Sequence, residues 1–180
     1  MKKSNEGKNR KKGRVYCLRV VITLLTGLML AFIFSNSLKT GTESSGQSSR
    51  VVAFIQKVIK IVAPNSALAN ATGEAYEKLH SAIRILAHFG EFAVLGALVG
   101  WTYSSYTSEK KWLFLPLYIL LLIPVIDEHL QSFTPGRGTE FFDVCVDTAG
   151  AICGLIFSMI IVWLGRWLYK RHQKKKGITH

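Results

Sequence analysis

Arg84, His88 and Glu91 fall at i, i+4 and i+7, the spacing that puts three side chains on one helix face. Asp127, Glu128 and Gln131 share an arc if helix persists there, and Glu140, Asp143 and Asp147 repeat at i, i+3 and i+7. Between these acid groups lies Pro135-Gly136-Arg137-Gly138, a forced turn with a cation at its tip. Three kinds of chemistry suit such a set. His88 and Glu91 are candidates for a catalytic base and its orienting group. Asp127, Glu128 and Asp143 are candidate ligands for a divalent cation such as Mg²⁺ or Mn²⁺, although their spacing matches no strong metal motif. Arg84 and Arg137 can fork to a carboxylate or to the phosphate of a lipid-linked ligand. The competing structural reading is that Arg137 clamps the flanking acids, or that His88, Glu91 and Asp147 pair with it, and no reaction occurs. No GxSxG, HExxH or phosphate loop is present. No cofactor is predicted beyond that divalent cation.

The elements that hold these residues are hydrophobic. The chain has 180 residues, 49% of them hydrophobic and 19% charged, with a formal net charge of +12. The charge is concentrated at the ends. Residues 2–19 carry eight Lys/Arg against one Glu, and residues 166–176 carry six with no acid. The interior is nearly neutral and apolar, which argues against disorder and against a nucleic-acid binder. A helix that crosses a bilayer needs about 20 mostly apolar residues, with roughly 17 as the lower end. Segments 18–34, 86–103, 112–130 and 144–164 qualify, and Pro124 predicts a kink in the third. The expectation is an all-α integral membrane domain over 18–165, flanked by basic tails at 1–17 and 166–180. The first segment could instead be a signal peptide, but its basic region is long and Ser35-Asn36-Ser37 is a poor cleavage site.

Four crossings place both termini on one side, and the positive-inside rule makes that side the cytoplasm. Every polar group then falls at the outer end of the bundle. Ser35-Asn36-Ser37 ends the first span, His88 and Glu91 open the second, Asp127 to Gln131 close the third, and Asp143 and Asp147 open the fourth. The first extracellular loop begins with a small, polar stretch at 40–49 that reads as flexible or turn-rich. Over 50–62 it turns amphipathic, with Val51, Val52, Ile55, Val58, Ile59 and Val62 opposite Arg50, Lys57 and Lys60. Thirteen residues are too few to span, so this reads as an interfacial helix, ended by Pro64-Asn65. From Glu74 to Tyr103 no proline intervenes, so one helix is expected to run from the loop into the second span. Gly96 and Gly100, and Gly150 and Gly154, form two GxxxG pairs, which permit close helix approach without naming a partner. The three cysteines imply no disulfide or zinc framework, and Cys145 and Cys153 are expected to be buried thiols.

The run from Asp127 to Asp143 resembles the VanZ-like family. Asp127, Glu128, Gln131, Phe133, Pro135, Arg137, Asp143 and Gly150 are similar to its D-E-x-x-Q-x-F-x-P-x-R hallmark and the small-residue helix after it. Upstream, His88, Phe89, Glu91, Phe92, Leu95 and Gly96 resemble H-F-x-E-Y-x-x-L-G, with Phe92 in place of the usual tyrosine. Phe34, Ser35 and Ser37 are also similar, so the resemblance covers roughly 28–160. Asp147 departs from it, standing where asparagine is expected. The resemblance implies a protein of the bacterial plasma membrane that acts on the cell envelope and is associated with low-level resistance to the glycopeptide teicoplanin.

Three functions are open at this point. The chain could bind or shield an envelope component, through ligand-binding residues Arg84, His88, Glu91, Asp127, Glu128, Gln131, Arg137, Asp143 and Asp147. Its partners would then be the lipid bilayer and a lipid-linked cell-wall precursor or the glycopeptide itself. It could be an enzyme on a lipid-linked substrate, or a proton-coupled carrier or complex subunit, for which a homodimer would supply further spans.

Overall fold

The computed structural model describes residues 2–107 and 109–175, and every regular element among them is helical. The last residues of the expected basic tail, 176–180, lie outside the described residues, as does Met1. The helices are α1 (Lys2–Ser37), α2 (Gly41–Val62), α3 (Glu74–Tyr106), α4 (Phe114–Gln131) and α5 (Phe141–Lys175), with a single 3₁₀ turn at Lys110–Trp112 before α4. Helices α1, α3, α4 and α5 are long and apolar enough to cross a membrane, and they match the four expected spans, except that α4 begins at Phe114 and leaves residues 112–113 of the third span outside it. The protein is a multi-pass membrane protein. Its outward faces carry large apolar side chains such as Leu24, Leu28, Val125, Phe157 and Ile160, the surface a bilayer solvates.

Close packing of α3 on α5 sets the architecture. A Cβ built on Gly96 would overlap the carbonyl of Ala151, and one on Gly154 the carbonyl of Ala93. Gly150 lies against the carbonyl of Phe89, and Gly100 against the hydroxyl of Ser158. The two GxxxG pairs are therefore each other's partners. Ile33, Phe92, Leu95, Leu120, Ile123, Ala151 and Leu155 form the apolar core beside this seam. At the end that carries the termini, α1 is tied to α3 by the Thr26–Thr102 hydroxyl pair at 3.0 Å and by Arg19, whose Nε donates to the Ser105 carbonyl at 2.8 Å.

Cys145 and Cys153 are exposed, contrary to expectation. The buried face of α5 is the stripe of Asp147, Gly150, Ala151, Gly154, Leu155 and Ser158, and both cysteines fall off it. An apolar run in a membrane helix does not distinguish protein interior from lipid, because both are apolar.

The largest departure from expectation is α2. The stretch read as turn-rich is helical from Gly41, so the 22-residue helix extends well before Arg50. Thr40 and Glu43 form a capping box: the Thr40 hydroxyl accepts from the Glu43 amide, and Glu43 accepts from the Thr40 amide at 2.9 Å. Val52 is buried against the bundle, while Val51, Phe54, Val58, Ile61 and Val62 are exposed. The hydrogen bonds from the Thr40 amide and hydroxyl hold the Glu43 carboxyl below the usual glutamate range. A depressed pKa stabilises the fold above the unfolded-state value, and that contribution is lost as pH falls through the folded one. Protection of the Thr40 amide from exchange is expected to fall as pH drops below the ordinary glutamate range. Glu43→Ala should abolish that dependence. Unchanged protection across the range would show that the box does not hold the cap.

Candidate functional site

The polar residues named from sequence gather at the end of the bundle away from the termini, in two tiers. The deeper tier sits among the spans. Asp127, 1% exposed, accepts from the Ser37 hydroxyl of α1 and from Gln131 Nε2 at 2.9 Å. Asp147, equally buried, has its Oδ1 3.6 Å from His88 Nδ1. That is ion-pair range, longer than a hydrogen bond. Nδ1 therefore faces Asp147 on α5, and the His88 side chain also lines a cavity. Glu91 accepts from Asn36 Nδ2 at 3.2 Å, and Asn36 Oδ1 accepts from Lys39 Nζ at 2.7 Å. Glu128 receives the Glu140 amide at 2.5 Å and so caps the loop into α5. Its second oxygen, with Gln131 Oε1, His88 Nδ1 and Asp147 Oδ1, is buried without a hydrogen-bond partner.

The upper tier joins α2, α3 and the Pro-Gly-Arg turn. Gly136 has φ 75°, a left-handed conformation that glycine adopts freely. The turn presents the Pro135 carbonyl to the Gly41 amide at 3.1 Å, and a Cβ on Gly41 would overlap the Gly136 carbonyl. Arg137 donates to the Ser44 hydroxyl at 2.8 Å and to the carbonyls of Asn36 and Ser37 at 3.4 Å. Burial, followed by the neighbouring Arg84 charge, pushes the Arg137 pKa down. Arg84 meets Asp143 at 3.3 Å.

Two cavities flank the arginine pair. One, of about 190 Å³, is walled by Asn36, Ser37, Ser44, Ser48, Val51 and Ile83 together with Arg84, His88, Glu91, Asp127 and Arg137. The other, of about 220 Å³, lies between the start of α2 and the turn, against Ser44, Ser45, His80, Arg84, Arg137 and Glu140.

Three expectations change. Arg137 does not clamp an acid: among the described residues no carboxylate lies within ion-pair distance of it, because backbone carbonyls and Ser44 take its N–H groups. His88 is oriented by Asp147, not Glu91, since α5 packs against the flank of α3 that carries the imidazole and Glu91 faces α1. Asp127, Glu128 and Asp143 are not brought together, and among the described residues no three His, Cys, Asp or Glu side chains converge to hold an ion. These three acids have separate tasks, bonding Ser37, the Glu140 amide and Arg84 respectively. Sequence reasoning missed Ser44, Ser45, Ser48 and His80. The signal was available in Thr40-x-x-Glu43, a capping-box pattern that marks a helix start where small polar residues suggested a turn.

No curated protein matches the chain, and no solved structure does. A family model does match, that of VanZ/LLP1, over residues 21–163. That interval takes in most of each apolar crossing, with the residues that line both cavities and every polar residue of the two tiers. The chain belongs to the VanZ/LLP1 family.

Proposed function

We propose that this protein sits in the bacterial plasma membrane with both termini in the cytoplasm. In this reading its polar cavity faces the envelope, where it takes up the polar part of a cell-wall component and lowers teicoplanin access. The observation that carries the reading is the cavity of about 190 Å³, which four separate helices and the Arg137 turn close at the end opposite the basic tails. Positive-inside topology turns that end outward. A bundle that only needed stability would gain little from assembling so many ionisable groups in an apolar environment. The exposed apolar stripe of α2 suits a helix lying on the outer leaflet beside the cavity mouth. A lipid-linked cell-wall precursor could then enter from the bilayer.

The test is teicoplanin binding and susceptibility in a sensitive Gram-positive host carrying empty vector, wild type or Arg137→Ala, with membrane levels matched. Wild type is expected to lower both. Arg137→Ala should return both to vector values, because loss of a charge-assisted contact weakens binding roughly ten- to a hundredfold. No difference between wild type and vector removes the resistance reading.

The His88–Asp147 pair supports a second reading, an enzyme acting on the same lipid-linked component. His88 Nε2 would serve as base while Asp147 holds the ring. His88→Gln would then abolish turnover and leave ligand binding in place, whereas a pure binder would show no turnover to lose.

A further inference from the structure

Arg137 is a half-buried cation in an ion-rich site, yet among the described residues it has no carboxylate partner. Arg84 shares its surroundings: both guanidiniums line both cavities, and burial and then the Arg84 charge lower the Arg137 pKa while Asp127, Glu128 and Asp143 act the other way. Bringing two guanidiniums together at low dielectric is unfavourable unless an anion lies between or beside them. Asp143, at 3.3 Å from Arg84, offsets one of the two charges. Arg137 is left without an ion-pair partner among the described residues. Around it stand hydroxyls suited to an oxyanion: Ser44 and Ser45 line the cavity beside the turn, and Ser44 and Ser48 line the deeper one.

We infer that Arg84 and Arg137, with Ser44 and Ser45, form a binding site for a singly charged phosphodiester. The site lies where the start of α2 meets the Pro-Gly-Arg turn. A monoanion would give Arg137 the direct counter-charge that no carboxylate supplies. A phosphomonoester dianion fits less well, because Glu140 lines the same cavity and opposes a second negative charge. Guanidinium groups match phosphate oxygens in planar, paired geometry, which lysine does not reproduce. This assignment rests on the cavity reading proposed above and names the class of group it takes. The diester could come from a lipid headgroup or from a soluble glycerol phosphodiester.

The test uses full-length protein purified in detergent. It is titrated with short-chain phosphatidylglycerol, with glycerophosphoglycerol, or with a short-chain diacylglycerol that lacks phosphate. The unfolding midpoint and the heat of binding are followed. Wild type is expected to respond to phosphatidylglycerol and not to diacylglycerol. Arg84→Gln should bind at least roughly tenfold more weakly, the loss expected for one charge-assisted contact. Arg137→Lys keeps the charge and loses the fork, and should also weaken binding. It serves as the test if Arg84→Gln shows no cooperative unfolding. Lys57→Gln, away from both cavities, should bind as wild type does. A response to both diesters assigns recognition to the phosphodiester alone, and a response to the lipid only adds its chains to the ligand. Either result upholds the site. It is overturned if neither diester binds, if diacylglycerol binds as tightly, or if the arginine variants bind unchanged. Diester binding with unaltered teicoplanin susceptibility would keep this site and remove the resistance reading. Susceptibility that depends on Arg137 without diester binding would do the reverse.

Discussion

Gly154→Leu is expected to remove folded protein from the membrane. A Cβ at Gly154 would overlap the Ala93 carbonyl and come within 2.9 Å of the Ala97 amide nitrogen, so the obstacle is the backbone of α3. A flexible side chain could swing away, but a helix backbone cannot do so without separating the two helices. That separation would also part Gly96 from Ala151 and Gly150 from Phe89, and with them His88 from Asp147. Overpacking in a dense core costs about 1–3 kcal/mol and occasionally more. A clash of backbone with backbone along the main seam belongs at or above the top of that range. Membrane yield and the unfolding midpoint in detergent would measure it. Gly27→Leu and Gly165→Leu are the controls, since open space surrounds both positions. If Gly154→Leu accumulates and unfolds like those controls, the α3–α5 contact does not hold the bundle together.

Asp127→Ala should be the next most damaging change among the site residues. The carboxylate is buried, and it accepts from Ser37 and from Gln131. Through Ser37 it also steadies the turn, because the Ser37 carbonyl accepts from the Thr134 hydroxyl at 3.2 Å and from Arg137. Truncation leaves the Gln131 amide without an acceptor, while the Ser37 hydroxyl keeps the Ile33 carbonyl at 3.1 Å. One buried orphan at about 1–3 kcal/mol sets an expected loss of about 2 kcal/mol. For a chain of this size that corresponds to a fall of roughly 4–8 °C in the unfolding midpoint. Asp127→Asn keeps an acceptor oxygen and should lose less. Ser37→Ala combined with Asp127→Ala should cost less than the sum of the two alone. Strict additivity would mean that the two side chains do not act as a pair.

Much of the fold was legible from sequence because a bilayer imposes simple conditions. Its thickness sets the length of a spanning helix, and its lack of water forces backbone groups to bond within the helix. The four crossings follow from apolar runs alone. So does the gathering of polar groups at one end, since alternating helix direction puts Asn36, His88, Asp127 and Asp147 at the same level. The GxxxG pairs announced close approach but not the partner, because a sequence records which residues are small and not which helix faces them. Cys145 and Cys153 were misread for a related reason: lipid and protein interior demand the same apolar residues.

The tertiary structure decided how the ionisable groups pair. Arg84, His88 and Glu91 share one helix face, yet they turn to three different neighbours: Asp143, Asp147 and Asn36. Spacing along α3 fixes that face, but the packing of α1 and α5 on either flank selects each partner. Arg137 shows the same division. The acids on both sides of it in sequence pointed to a clamp, and the fold gave those acids to the Glu140 amide and to Arg84 while turning Arg137 toward α2. The sequence by itself determined a membrane bundle with its polar residues at one end, since hydropathy and helix periodicity are local properties. Only the tertiary structure decided that the two arginines come together and that a cavity opens beside them. Those depend on contacts between segments up to about a hundred residues apart, such as Arg137 with Asn36 and Ser44, which no local pattern encodes.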